Sequence, residues 1–412
     1  MNKSDGEMAD MTKRVMLVYG TRPEAIKMAP VLFGLRRAAQ LTPVVVLTGQ
    51  HRSILEQVNR DFQINPDHDL EIMQTGQTLQ DITVRCVHGI SELLRAERPD
   101  AVVVQGDTTS AFSAALAAFY EQIPVAHLEA GLRTGDMYSP YPEEVNRRLI
   151  TRLAALHLAP TQVSRENLLR ENVDGRSVVV TGNTIIDALL WTVAQARPFS
   201  HPYLKEIERS ESPILLVTAH RRESWGEPMQ LVSKALAEIS SRIPELQIVL
   251  PAHPNPVVRE SLLPRLKGPN VTILEPLPYP EFARLMAISS IVMTDSGGIQ
   301  EEAPSLGKPV LVMRDTTERP EGIDAGTARL VGTSPADIID AVETLLRDPN
   351  AYQAMAKAIN PYGDGHAARR TVEALNLFLR QGRAPGDFDS LKALSESDLS
   401  PDGASFDWPV AS

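Results

Sequence analysis

Short apolar runs alternate with helical patterns from one end of this chain to the other, and that alternation restricts the fold more than any single motif. Runs of strand length fall at 15–19, 44–47, 101–105, 125–128, 155–159 and 178–181, with helical periodicity at 23–37, 53–62, 79–96, 110–120, 142–152 and 162–171. The order then restarts. Strands are predicted at 214–218, 247–251, 271–274, 291–294, 310–313 and 328–331, and helices at 228–242, 256–266, 279–288, 298–305, 336–347 and 352–357. Strands that alternate with helices pack as parallel sheets covered on both faces. A length of 412 residues exceeds what one core fills. The expected fold is therefore α/β, with two doubly wound Rossmann-like domains facing across a cleft and ligands at the carboxyl ends of the strands.

The stretch 192–212 is rich in charge and proline and holds no predicted strand, so a boundary belongs near it. The expected division is 13–190 for the first domain and 191–366 for the second. A helix over 367–382 returns to the first domain, and 383–412 forms a mobile acidic tail in which Phe406 and Trp408 are the residues able to dock. The net charge is −11 and no Lys/Arg block occurs, which argues against nucleic acid or an anionic membrane as partner. No apolar run reaches membrane-spanning length, and 1–13 lacks a secretion signal. Cys86 is the only cysteine, so no disulfide forms within the chain; a cytoplasmic location is expected.

Polar residues gather where predicted strands end. The first strand runs into Gly20-Thr21-Arg22-Pro23-Glu24-Ala25-Ile26-Lys27, placing two cations within reach of a diphosphate; an ordinary solvated lysine is the plainer reading of Lys27. Asp107 and Glu129 follow separate strands at one sheet edge and are acid–base candidates, because repulsion and burial separate the pKa values of paired carboxyls. Asp107 has a competing reading as an N-cap. Glu143 and Glu144 open a helix, where they complement its dipole. In the second half His220 follows a strand beside Arg221 and Arg222, and His253 follows the next.

An apolar run leads into Thr294-Asp295-Ser296-Gly297-Gly298. A helix starting at Gly298 would aim free N–H groups and its positive dipole end at a phosphate, and Glu302 one turn on suits a ribose. The plainer reading is a tight strand-to-helix turn. Neither G-x-G-x-x-G nor a P-loop occurs, so a nicotinamide cofactor loses support. The histidines lack metal-ligand spacing; no metal and no cofactor are expected.

These segments together resemble the non-hydrolysing UDP-N-acetylglucosamine 2-epimerases. The matching strings include Tyr19 to Pro30, Thr48-Gly49-Gln50-His51-Arg52, Gln105-Gly106-Asp107-Thr108, His127 to Asp136, Pro142-Glu143-Glu144, Thr181-Gly182-Asn183-Thr184, His220-Arg221-Arg222-Glu223 and Asp295 to Pro304. The resemblance implies a glycosyltransferase-B-type fold and interconversion of UDP-GlcNAc and UDP-ManNAc. It assigns substrate binding to Arg22, Lys27, Asp107, Glu129, His220, Phe282, Ser296, Gly297, Gly298, Glu302 and Arg319. Acid–base work falls to Asp107, Glu129 and Glu143, with His220 helping UDP to leave. A homodimer is implied too.

Tyr141 stands where the family commonly has Trp or Phe. Some bacterial members place an Arg before the Gln-Thr-Leu segment and use it in an allosteric UDP-GlcNAc site. Here Gly76 precedes Gln77, while Gln50, Gln77, Arg221 and His253 match other parts of that site. The expected route is elimination of UDP to a 2-acetamidoglucal, then re-addition. A glycosyltransferase of the same fold, a hydrolysing epimerase and a non-catalytic sensor are the competing readings.

Overall fold

The computed structural model describes residues 12–49, 52–74, 76–380 and 386–389, with backbone only for 52–54. Gln50 and the tail positions Phe406 and Trp408 lie outside the described residues.

The first sheet contains β1 (Lys13–Tyr19), β2 (Leu41–Leu47), β3 (His68–Asp69), β4 (Ala101–Gln105), β5 (Val125–Leu128), β6 (Leu156–Ala159) and β7 (Val178–Val180), in the order β3-β2-β1-β4-β5-β6-β7. The second contains β8 (Ile214–Thr218), β9 (Gln247–Pro251), β10 (Val271–Leu274), β11 (Ile291–Thr294), β12 (Val310–Val312) and β13 (Ala328–Leu330), in the order β10-β9-β8-β11-β12-β13. Every pairing in both sheets is parallel. This is a glycosyltransferase-B-like architecture of two Rossmann-like sheets. Strand order reverses between β1 and β4 and between β8 and β11, the points where such sheets open a crevice for ligands.

The strands are apolar on both faces because helices cover both faces. In β8, Leu215 and Val217 enter one core cluster while Leu216 enters the other. The same split occurs in β11, with Ile291 and Met293 on one side and Val292 on the other. Each such side chain contributes about 1.5–3 kcal/mol by leaving water.

The chain divides into two compact units. One holds the described residues through Ala188 together with Gly363–Asp389; the other is Leu189–Tyr362. Several elements escape the sequence pattern, among them the helices Thr184–Ala194 and Pro320–Asp324. β3 is a polar His-Asp pair that aligns with Val46 and Leu47 of β2, with the His68 ring held by Glu97 at 2.8 Å. Within 192–212, Pro202 opens the short helix Pro202–Ile207 instead of a linker, and Phe199, Leu204 and Ile207 are buried in the second unit's core.

The last helix, Ala367–Arg380, packs on the helix Arg22–Arg37 of the first unit, as expected. The buried Asp187 carboxylate accepts the N–H groups of Ala367 (3.2 Å) and Ala368 (2.8 Å) at its start. Within the stretch read as a mobile tail, Gly386–Asp389 is anchored: Phe388 is buried and its N–H donates to the carbonyl of Val180 (2.8 Å). Among the described residues no helix is long and apolar enough to cross a membrane.

Candidate active site

In the first unit the chemistry collects at the carboxyl edge of the sheet. Gly20 lets β1 turn there: a Cβ at this position would lie 2.1 Å from Thr48 Oγ1 and 2.6 Å from Ser110 Oγ. Buried Glu24 then ties two loops together. Its carboxylate accepts the N–H groups of Gly20 (2.9 Å) and Thr21 (2.7 Å) and the Thr108 hydroxyl (2.5 Å). Burial pushes the Glu24 carboxyl above the ordinary glutamate range.

Lys27 is not the solvated lysine of the plainer reading. Only 16% of its side chain is exposed, and Nζ reaches both oxygens of Glu129 at 2.5 and 2.7 Å. Arg22, at the first turn of the same helix, is exposed and makes no hydrogen bond or ion pair with the described residues. Glu129 itself is 7% exposed and sits at φ +66°, a left-handed conformation that costs a non-glycine residue about 1–3 kcal/mol. Besides Lys27, Gln105 Nε2 and Asn183 Nδ2 (3.1 Å) donate to it, so three elements over-determine its position.

Asp107 is not the N-cap of the following helix. Thr108 takes that role, accepting the Ala111 N–H at 3.0 Å. The Asp107 carboxylate is free to pair with Arg147, and its carbonyl accepts from Asn146 Nδ2 (2.9 Å). Burial pushes the Asp107 carboxyl above the ordinary aspartate range; Arg147 opposes that shift and the neighbouring Glu129 adds to it.

Asn146 and Arg147 belong to the helix Glu143–Leu153, so the same two contacts hold Glu143's helix against Asp107. Glu143 Oε2 is buried and has no hydrogen-bond partner among the described residues. Glu144, one residue on, does more than complement the dipole. Fully buried, it accepts the N–H groups of Thr134 (3.0 Å) and Gly135 (3.4 Å), and it faces Arg147 (3.3 Å) and Arg148 (2.7 Å).

Deeper in the sheet, His127 and His157 lie opposite each other in adjacent strands. Burial pushes the imidazoles down to about 3 and about 4 respectively, so both are neutral core groups.

In the second unit buried Asp295 organises the ends of β8 and β11. Its Oδ2 accepts the backbone N–H groups of His220 and Arg221, both at 2.8 Å, and its Oδ1 lies 3.0 Å from His220 Nδ1. The His253 ring stacks beside that of His220 with centroids 5.9 Å apart.

The helix Gly297–Glu302 begins one residue earlier than Gly298, with Ser296 at its N-cap and no side-chain cap bond. A Cβ on Gly297 would meet Arg319 Cζ at 3.3 Å and Arg221 Nη2 at 3.4 Å, so both guanidinium groups press against the bare turn. Glu301 holds Arg319 (2.6 Å) and Glu318 holds Arg221 (3.2 Å). Glu302 is buried and accepts the Tyr279 hydroxyl (3.2 Å). Phe282 is half-buried and packs against the unit's core.

Of the residues matched to an allosteric site, Gln77 folds back on its own loop, accepting from Gln74 N (3.1 Å) and Arg85 Nη1 (3.2 Å). Arg221 and His253 flank His220 in the second unit.

The structure adds Gln105, Arg147, Asn183 and Asp295 to the residues singled out by sequence. Arg147 had a faint signal, one helical turn after Glu143, and Asn183 and Asp295 both follow strand ends. The first unit thus carries two carboxylates, each against its own cation, an arrangement suited to proton transfer. The second carries cations and free helix N–H groups, suited to an anionic leaving group.

A family model described as UDP-N-acetylglucosamine 2-epimerase matches residues 34–376. The UDP-N-acetylglucosamine 2-epimerase of Escherichia coli strain K12 is 51% identical over 373 residues, covering 88% of this chain and 98% of that protein. That of Bacillus subtilis strain 168 is 50% identical over 363 residues, covering 88% and 94%. The crystal structure of UDP-GlcNAc 2-epimerase from Neisseria meningitidis bound to UDP-GlcNAc is 46% identical and superposes with a TM-score of 0.79, over 88% of this chain and 99% of that one.

Proposed function

We propose, because this chain belongs to the UDP-N-acetylglucosamine 2-epimerase family, that it interconverts UDP-GlcNAc and UDP-ManNAc by losing and regaining UDP at C1. The enzyme is an isomerase of nucleotide sugars. The hydrogen on C2 has no carbonyl beside it and is not acidic alone, so its removal is coupled to departure of the C1 diphosphate. A carboxylate takes the proton, the C2–H electron pair forms the C1=C2 double bond, and the C1–O pair leaves with UDP. A 2-acetamidoglucal and bound UDP result. A proton delivered to the opposite face of C2, with return of UDP to C1, gives the epimer and needs no redox cofactor.

One observation carries the reading: Asp107 and Glu129 stand at one sheet edge with different surroundings, one paired to Arg147 and the other locked to Lys27. Carboxyls kept unlike in this way suit removal and return of a proton. Glu143, whose helix is tied to Asp107, is the third candidate. The second unit serves the leaving group, through His220, Arg319 and the Ser296-Gly297-Gly298 turn, with Glu302 on the ribose and Phe282 adding a substrate contact; Arg22, from the first unit, adds another. The enzyme works in the cytoplasm as a homodimer; its lone cysteine is buried, in keeping with that compartment.

Incubation with UDP-GlcNAc alone tests this against its rivals. The expected product is a stable mixture of two UDP-sugars without free UDP. Steady release of UDP and ManNAc would indicate a hydrolysing enzyme, and no change would indicate a transferase lacking its acceptor or a non-catalytic sensor.

A further inference from the structure

We infer that Gly386–Asp389 is a strap that positions Glu129, with Phe388 as its anchor. The inference rests on the reading of Glu129 as part of the acid–base site, and every contact in it lies within the first unit. β7 is the outermost strand of its sheet, and an edge strand leaves backbone groups without partners. The strap supplies them at Val180. Phe388 N–H donates to the Val180 carbonyl (2.8 Å), and the Val180 N–H donates to Asp387 Oδ1 (3.0 Å). Gln162 Nε2 reaches the Phe388 carbonyl at 3.5 Å, and the Phe388 ring is only 4% exposed.

The ring also fixes a cation. Arg370 lies over it with Cζ 5.4 Å from the centroid, while Asp364 holds the same guanidinium at 2.8 and 2.7 Å. Arg370 Nη1 then donates to the carbonyl of Thr181 (3.3 Å), the residue directly after β7. Two residues further on, Asn183 Nδ2 donates to Glu129 Oε1 (3.1 Å). Its Oδ1 is committed to the Ile185 N–H (3.1 Å), so the amide cannot turn without breaking a second bond.

The path from Phe388 through Arg370 and Thr181 to Asn183 ends on a carboxylate whose left-handed backbone makes its placement dependent on its donors.

A cover for the sheet edge and a positioning strap differ in what they move. The full-length Phe388→Ala protein is compared with wild type, with Phe388→Tyr, which keeps the ring under Arg370, as the rescue and Asn183→Ala as the second mutation of a cycle. Amide hydrogen exchange of Thr181 to Asn183 is expected to rise about tenfold in Phe388→Ala and to recover in Phe388→Tyr. Turnover of UDP-GlcNAc is expected to fall about three- to tenfold with KM within about twofold, and Phe388→Ala should change kcat by less than about twofold when Asn183 is already Ala. Unchanged exchange in this segment, or an equal loss of kcat in both backgrounds, would overturn the inference. Absence of epimerase activity in wild type would defeat the functional reading alone, since exchange decides the strap independently.

Discussion

Replacing Arg147 by Met separates the charge that Arg147 supplies from the volume it fills. Its guanidinium pairs with Asp107 and also faces the fully buried Glu144. Breaking a buried pair from one side costs about 3–5 kcal/mol, because the remaining charge is stranded. Two features reduce that here. Asp107 keeps 24% of its side-chain surface exposed, and Glu144 retains the Thr134 and Gly135 N–H groups and Arg148. A loss of about 2–3 kcal/mol is therefore expected, or roughly 4–12 °C in the melting temperature of the first unit.

The sign of the pH dependence follows from Asp107. Its folded carboxyl already holds a proton to higher pH than the unfolded chain does, because of burial. Its contribution to stability is therefore present below the unfolded aspartate value and is lost as pH rises through the folded one. Removing Arg147 enlarges that loss, so the variant's deficit should shrink on acidification from pH 7 to 5. Turnover at pH 7 should fall roughly a hundredfold as the carboxylate loses its orientation, and the acidic limb of kcat/KM should move to higher pH. Thermal melts and initial rates across pH 5–8 measure both. A stability deficit that is flat in pH, together with an unmoved acidic limb, would refute the reasoning.

Two further substitutions probe the second unit. Asp295→Asn keeps the shape under His220 and Arg221 but sets an amide donor against Nδ1, forcing the other imidazole tautomer; kcat should drop roughly a hundredfold with UDP affinity little changed. A kcat within about threefold of wild type would remove His220 orientation from the account. Gly297→Ala places a methyl 3.3 Å from Arg319 Cζ and 3.4 Å from Arg221 Nη2, in a backbone conformation open to any residue. Calorimetry should show UDP binding weakened about tenfold at an unchanged melting temperature, and unaltered affinity would separate these arginines from the diphosphate.

The strands were legible because parallel strands covered on both faces are apolar without interruption, as Val15–Val18 and Ala101–Val104 are. β3 was not, since a His-Asp pair carries no such mark and is set by its alignment with β2. The strand-end motifs located both halves of the chemistry, but the partners of their side chains depend on sheet order. Lys27 meets Glu129 because β1, β4 and β5 are consecutive neighbours, a fact set by tertiary pairing across 102 residues of chain. Arg147 was hidden for the same reason, as was the structural burden carried by Glu144. Asp107 lost its reading as a cap to a competitor one residue away, because the Thr108 hydroxyl caps the helix and leaves the carboxylate for Arg147.

The central claim is that C2 is inverted by removing its proton while UDP departs and returns. Nuclear magnetic resonance of UDP-GlcNAc incubated with the enzyme in deuterated water tests it most directly. The account predicts UDP-ManNAc with deuterium at C2, and deuterium entering C2 of UDP-GlcNAc as the reaction reverses. A UDP-ManNAc that retains its original hydrogen at C2 would contradict it.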